Sequence, residues 1–223
     1  YLLGSLSEPL TSCIRGFNKA IRQGVFKWGD TVVIQGTGPI GILAIAAALE
    51  MGAGRVIAVG APENPRLKLA REFGAEATVD IETHKTANER IKAVRDIVGG
   101  YGADVVMDCS GHPTAGPEGI EFLRDGGCYI EMGQFTDAGS IMTSWHRICT
   151  KDISLLGSWA FTANDLALGV QMLDQARNKY PWRKMQTLYP FTLEGVKQAV
   201  GDAMAMKTVK STITPFPEML EDA

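Results

Sequence analysis

Six consecutive residues, Gly36-Thr37-Gly38-Pro39-Ile40-Gly41, set three glycines at the spacing G-x-G-x-x-G. They lie between the apolar run TVVIQ and the long apolar stretch PIGILAIAAALEMG. Joining a strand to a helix, that spacing serves diphosphate chemistry. The first glycine permits a tight turn, the second lets the backbone approach a pyrophosphate without a Cβ clash, and the third lets the helix pack closely on the sheet. With Pro39 and Ile40 at the mouth of the helix, its open N–H groups and dipole would hold the anion. Nicotinamide and flavin dinucleotides both use this fingerprint.

An acid about 20 residues further on, at the end of the second strand, would bind the ribose hydroxyls of NAD. Here that strand, RVIAV, ends in Gly60. The loop APENPR behind it offers Glu63 as a ribose acceptor. It also offers Arg66 as a cation near a 2'-phosphate or the adenine, or else as a solvated residue in the first turn of the next helix. With no Lys or Arg immediately after Gly60, NAD is expected over NADP. His84, His112 and His146 are not spaced as metal ligands and receive no catalytic role.

Such a turn needs a scaffold, and from Thr31 the pattern alternates short β-branched runs with helical stretches. Strands are expected at 31–35, 55–59, 77–79, 105–108, 128–132 and 153–156, with helices at 39–51, 66–73, 86–98 and 114–123. The near-continuous apolar runs VVI, VIAV and VVM point to burial on both faces of a parallel sheet. The fold class is α/β: a doubly wound, six-stranded parallel Rossmann sheet. After Gly157 the rhythm changes to a helix at 164–176, an irregular stretch to Pro190, a helix at 193–204 and the strand-like VKSTIT.

Composition narrows the classes. With 25 glycines and 10 prolines in 223 residues, the chain is too poor in both for low-complexity disorder. A formal charge of −3 with interspersed signs excludes a broad basic face for nucleic acid or acidic lipid. The longest apolar run, 42–49, is far short of the roughly 18 to 20 residues that cross a bilayer. Cys13, Cys109, Cys128 and Cys149 form no C-x-x-C pair, which speaks against a zinc site within this chain alone and fits reduced thiols in a cytoplasmic protein. The chain opens at Tyr1 without methionine or leader, and is expected to derive from something longer.

The runs EPLTSCIRGFNKA, DTVVIQGTGPIGILAIAAALEMGAGRVIAV, RLKLAREFGAEATVD, GADVVMDCSG, GGCYIEMG and KDISLLGS resemble the zinc-dependent medium-chain dehydrogenases, the alcohol, sorbitol and threonine dehydrogenase group. The resemblance runs over nearly the whole chain in one order. It implies a dinucleotide-binding domain over 10–160, with 1–9 and 161–223 belonging to a second, substrate-binding domain whose larger N-terminal part is absent. It implies Glu8 of Glu8-Pro9-Leu10 as a zinc ligand, direct or through water, in the intact enzyme; the alternative is an exposed acid ahead of a helix. It further implies cofactor contacts from Ile40, Cys109, Ser110, Met132, Gly133 and Leu156 at the carboxyl ends of strands, and from Lys210 beside the pyrophosphate. Core packing is the alternative for Cys109, Met132 and Leu156.

The activity implied is hydride transfer between an alcohol or polyol and NAD or NADP, with zinc as Lewis acid and the chain alone inactive. A stand-alone nucleotide-binding module, and a zinc-independent quinone or enoyl reductase, are the alternatives. The final strand, 153–157, should be an edge that joins a twin in a homodimer or homotetramer.

Overall fold

The computed structural model describes residues 1–221; Asp222 and Ala223, the end of the 161–223 segment, lie outside the described residues. Six strands, β1 (Thr31–Gln35), β2 (Arg55–Gly60), β3 (Ala77–Asp80), β4 (Ala103–Asp108), β5 (Leu123–Glu131) and β6 (Ser154–Gly157), form one parallel sheet in the order β3-β2-β1-β4-β5-β6. This is the doubly wound order, in which the chain reverses direction across the sheet between β1 and β4.

The period-two alternation of a strand divides the core between two faces. Val32, Ile34, Val56, Ala58, Val105, Met107 and Ile130 share one face with α1 (Ser7–Arg22) and α2 (Pro39–Glu50). Val33, Ile57, Val59, Val106 and Tyr129 share the other with Val94 of α4 (Ala87–Ile97) and Phe122 of α5 (Ala115–Phe122). Because α2 is enclosed on nearly every side it is apolar all round, whereas α1 buries only a stripe including Leu10, Cys13, Ile14 and Phe17. At Gly16 of α1 a Cβ would stand 2.8 Å from Met107 Cε, so glycine sets how closely that helix lies on β4.

Several elements differ from expectation. The helix expected over 66–73 is a wider turn at Glu63–Leu67, with Asn64 in extended conformation, followed by the short α3 (Lys68–Glu72). Strand β5 begins five residues earlier than expected, across Gly126-Gly127, whose lack of side chains weakens the strand pattern. A helix at Trp145–Thr150, α6, was not expected. Beyond β6 come α7 (Ala163–Gln175), β7 (Gln186–Pro190), α8 (Leu193–Met204) and β8 (Lys210–Thr214), β7 and β8 forming a separate parallel pair. β7 falls in the stretch expected to be irregular, because QTLYP carries no clear alternation and its partner lies a whole helix away.

Candidate functional site

The glycine turn joins the end of β1 to α2 at the centre of the sheet. Gly36 has φ 94°, in the left-handed region that favours glycine, and a Cβ there would come within 2.8 Å of Ser110 Cα. Its N–H donates to Val59 O at 2.7 Å and Cys109 N–H donates to Gln35 O at 2.8 Å, tying the turn to the strands on both sides. A Cβ at Gly41 would overlap the Gly36 carbonyl oxygen, so the first turn of α2 folds back on the strand end.

Gly38 is different. Its backbone, φ −73° and ψ −170°, is open to any residue, and a Cβ would meet nothing within 4 Å. The fold does not require glycine at 38. No side chain caps α2, so its leading N–H groups stay open, and the buried Thr37 hydroxyl has no partner.

Two cavities flank this turn at the carboxyl ends of the strands. The first, about 280 Å³, is walled by Gln35, Gly36, Val59, Gly60, Ile81, Arg90, Ser110, His112, Thr114, Ala115 and Glu118. The second, about 390 Å³, is walled by Glu8, Pro9, Ser12, Ile40, Cys109, Ser110, Met132, Gly133, Phe135, Ser158 and Ala160. Ser110 belongs to both. Of the site residues expected from sequence, Glu8, Ile40, Cys109, Ser110, Met132 and Gly133 therefore share one cavity, and Gly36 and Gly60 lie in the other.

The rest lie elsewhere. Gly38, Pro39 and Gly41 line neither cavity; Gly38 and Pro39 stand in the chain between Gly36 of the first and Ile40 of the second, a stretch we call the glycine ridge. Leu156 is buried opposite Ile130 in the sheet, and Ser158 and Ala160 beyond it supply the wall instead. Lys210 opens β8, opposite Gln186. Arg66 reaches Thr208 O at 3.5 Å, and its buried Nε has no partner.

At Gly60 a Cβ would overlap the Thr37 hydroxyl, so Thr37 fills the space an acid at the end of β2 would need. The Glu63 carboxylate is taken by an ion pair with Arg71. Across the first cavity Arg90 Nε donates to Glu118 Oε2 at 2.8 Å, fixing α4 to α5, and Gln35 Nε2 donates to Ala115 O at 3.1 Å.

Several contributors escaped the sequence reading, among them Phe135, Ser158, Arg90, Asp108 and Glu131. Asp108, wholly buried at the end of β4, accepts hydrogen bonds on Oδ1 from both Ser110 N and Ser110 Oγ at 2.7 Å. The pattern Asp-x-Ser at a strand end was the available signal, because a carboxylate there can bond the backbone two residues on. Burial pushes the Cys109 thiol well above its usual range, and burial raises Cys13 to about 12, so neither thiol is an activated nucleophile.

Glu8 stands in the first turn of α1 on the wall of the second cavity. Zinc needs about four donors. Among the described residues no three or more His, Cys, Asp and Glu side chains converge, so these residues do not form a zinc site by themselves.

Strand order, glycine turn and paired cavities define a Rossmann-type nucleotide-binding domain. A family model described as zinc-binding dehydrogenase matches residues 39–175, more than half of the chain, and the chain belongs to that family. It is 33% identical over 213 residues to a probable D-xylulose reductase A of Emericella nidulans, covering 94% of this chain and 56% of the relative. It is 32% identical over 214 residues to a sorbitol dehydrogenase of Halalkalibacterium halodurans, covering 95% and 58%. A crystal structure of an alcohol dehydrogenase from Thermotoga maritima superposes with TM-score 0.80 at 29% identity, covering 92% of this chain and 55% of that one. The chain thus spans a little over half the length of these relatives.

Proposed function

We propose that this chain is the cofactor-binding portion of an oxidoreductase that moves hydride between an alcohol or polyol and a nicotinamide dinucleotide, NAD or NADP. The carrying observation is that two cavities meet at Ser110 across a glycine ridge whose middle residue, Gly38, faces open space. In this reading the adenosine half fills the cavity of Gly36, Gly60 and Arg90. The diphosphate crosses the ridge against the leading N–H groups of α2, and the nicotinamide half rests among Ile40, Cys109, Met132 and Gly133. Thr37 supplies a hydroxyl without a partner, while Arg66 beside Thr208, and Lys210 two residues on, are proposed to balance the anionic charge. Such a cofactor gives or takes the hydride when bound. The chain's own residues hold it, orient one face of its ring toward the Glu8 side of the cavity and screen the other with Ile40.

The relatives named as a xylulose reductase and a sorbitol dehydrogenase support a polyol or alcohol substrate. Residues 10–160 would form the cofactor domain, and 1–9 with 161–223 parts of the substrate domain. Zinc enters only as a property of the intact protein, with Glu8 as one donor, and no step is derived through it. We place the protein in the cytoplasm, supported by four free cysteines. Among the described residues no helix is long and apolar enough to cross a membrane. We propose a homodimer or homotetramer through 153–157, supported by β6 lying at the sheet edge with Leu155 exposed.

Titration of the 223-residue chain with NADH and NADPH, followed by cofactor fluorescence, tests the reading. Saturable binding of at least one is expected, and binding of neither would overturn it.

A further inference from the structure

Asp108 and Glu131 end adjacent strands in direct register, β4 and β5. Each carboxylate holds the turn that follows its own strand. Asp108 Oδ1 takes both Ser110 donors, and Glu131 Oε1 accepts from Gln134 N at 3.0 Å. The two turns also touch each other. A Cβ at Gly133 would overlap Asp108 Oδ2, and one at Gly111, whose φ is 67°, would stand 2.6 Å from Gly133 O. Yet Asp108 Oδ2 is buried and finds no N–H or O–H donor, while the Glu131 carboxyl lies within hydrogen-bonding reach.

Two ionised carboxylates in that position would repel across a space with little water to screen them. The titratable groups that face the pair do not relieve this. Cys109 and Tyr129 on the same two strands and Cys13 on α1 carry no positive charge. Glu118 on α5 is held by Arg90, and Asp137, in the loop after β5, faces Glu131 across a shallow groove. Lys19 of α1 is engaged by the Gly157 carbonyl, and His112 beside Ser110 bonds Thr114.

We propose that Asp108 and Glu131 share one proton, and that the hydrogen bond it makes sets the spacing of the 110–111 and 133–134 turns against which the nicotinamide half of the cofactor rests. They are positioning residues, acting through Ser110 and Gly133. The inference rests on the cofactor reading above for what the turns contact, although the shared proton itself does not. Burial, foremost, pushes both carboxyls above their ordinary range. A carboxyl raised on folding adds stability below its unfolded pKa and loses that contribution as pH rises through the folded value. The clamp is therefore present in acid and opens as pH rises through the pair's raised folded value.

The test uses the cofactor-free chain first. Infrared spectra at about pH 7, where ordinary carboxyls are ionised, should contain the C=O stretch of a protonated buried carboxyl, absent in both E131Q and D108N. NADH affinity should then fall with rising pH, approaching about tenfold per pH unit beyond the midpoint, the limit for one linked proton. E131Q keeps a donor to Asp108 and an acceptor for Gln134, so it should bind like the wild type at neutral pH with a flat pH profile, whereas E131L should bind weakly throughout. Absence of the infrared band, or its survival in both variants, overturns the shared proton. An E131Q profile that tracks the wild type overturns the positioning role. NADH and NADPH both failing to bind at every pH would instead refute the cofactor reading, and the infrared result would still decide the proton.

Discussion

Alanine at Gly38 and alanine at Gly41 should fail in opposite ways. At 38 the added methyl meets no protein atom within 4 Å and the backbone needs no glycine. Gly38→Ala should therefore melt with the wild type and lose about tenfold or more in NADH affinity. At 41 the methyl overlaps the Gly36 carbonyl, so Gly41→Ala should destabilise by roughly 3 kcal/mol, because α2 must move off the sheet. Thermal melts beside binding isotherms check both, and equal loss of stability in the two variants would contradict the account. The glycine turn was legible in sequence because its spacing, strand and helix all agree. Glu131 was not, although an acid inside the apolar run CYIEM raises the question of a partner. That partner, Asp108, lies on another strand, and pairing of that kind emerges only once register is known.

Among the elements, α7 shows how a helix start can report on packing. Its capping box sets Thr162 against Asp165, and Asp165 also receives Arg15 Nη1 of α1 at 3.0 Å. Burial pulls that carboxyl upward, but the hydrogen bonds from Thr162 and from Arg15 together outweigh it and hold it at about 2. A depressed carboxylate contributes stability above its unfolded pKa and loses it as pH falls through the folded value. The contribution should thus be intact at neutral pH and fade between about 4 and about 2. Asp165→Asn should cost about 1–2 kcal/mol at neutral pH, allowing for solvent screening, with the gap closing in acid. Urea midpoints at several pH values measure this, and a gap independent of pH would contradict it. Long helices with strong caps and apolar strands such as β1 and β2 were readable because local pattern and tertiary role coincide. β7 was not, because five residues owe their conformation to β8.

Over the whole molecule, the segment after β6 is fastened to the sheet unit. Phe73 stacks on Tyr180 with ring centroids 5.7 Å apart and meets the edge of Trp182 at 5.4 Å, and the Tyr180 hydroxyl donates to Glu50 at 2.6 Å. Arg66 adds a reach to Thr208 O at 3.5 Å, just ahead of β8. The sheet ends in β6, whose open edge and exposed Leu155 are the surface proposed above for pairing with a second copy. Sedimentation at micromolar concentration should give at least twice the chain mass, with Leu155→Glu shifting the population toward one chain. A wild type already monomeric would contradict that arrangement. The most direct examination of the central claim is a crystal structure of the chain with NADH or, if NADPH binds more tightly, with that cofactor. The account predicts diphosphate density over Gly38, within hydrogen-bonding distance of the leading N–H groups of α2, with the nicotinamide between Ile40 and Gly133. Cofactor bound elsewhere, or a glycine ridge left bare at saturating cofactor, would contradict it.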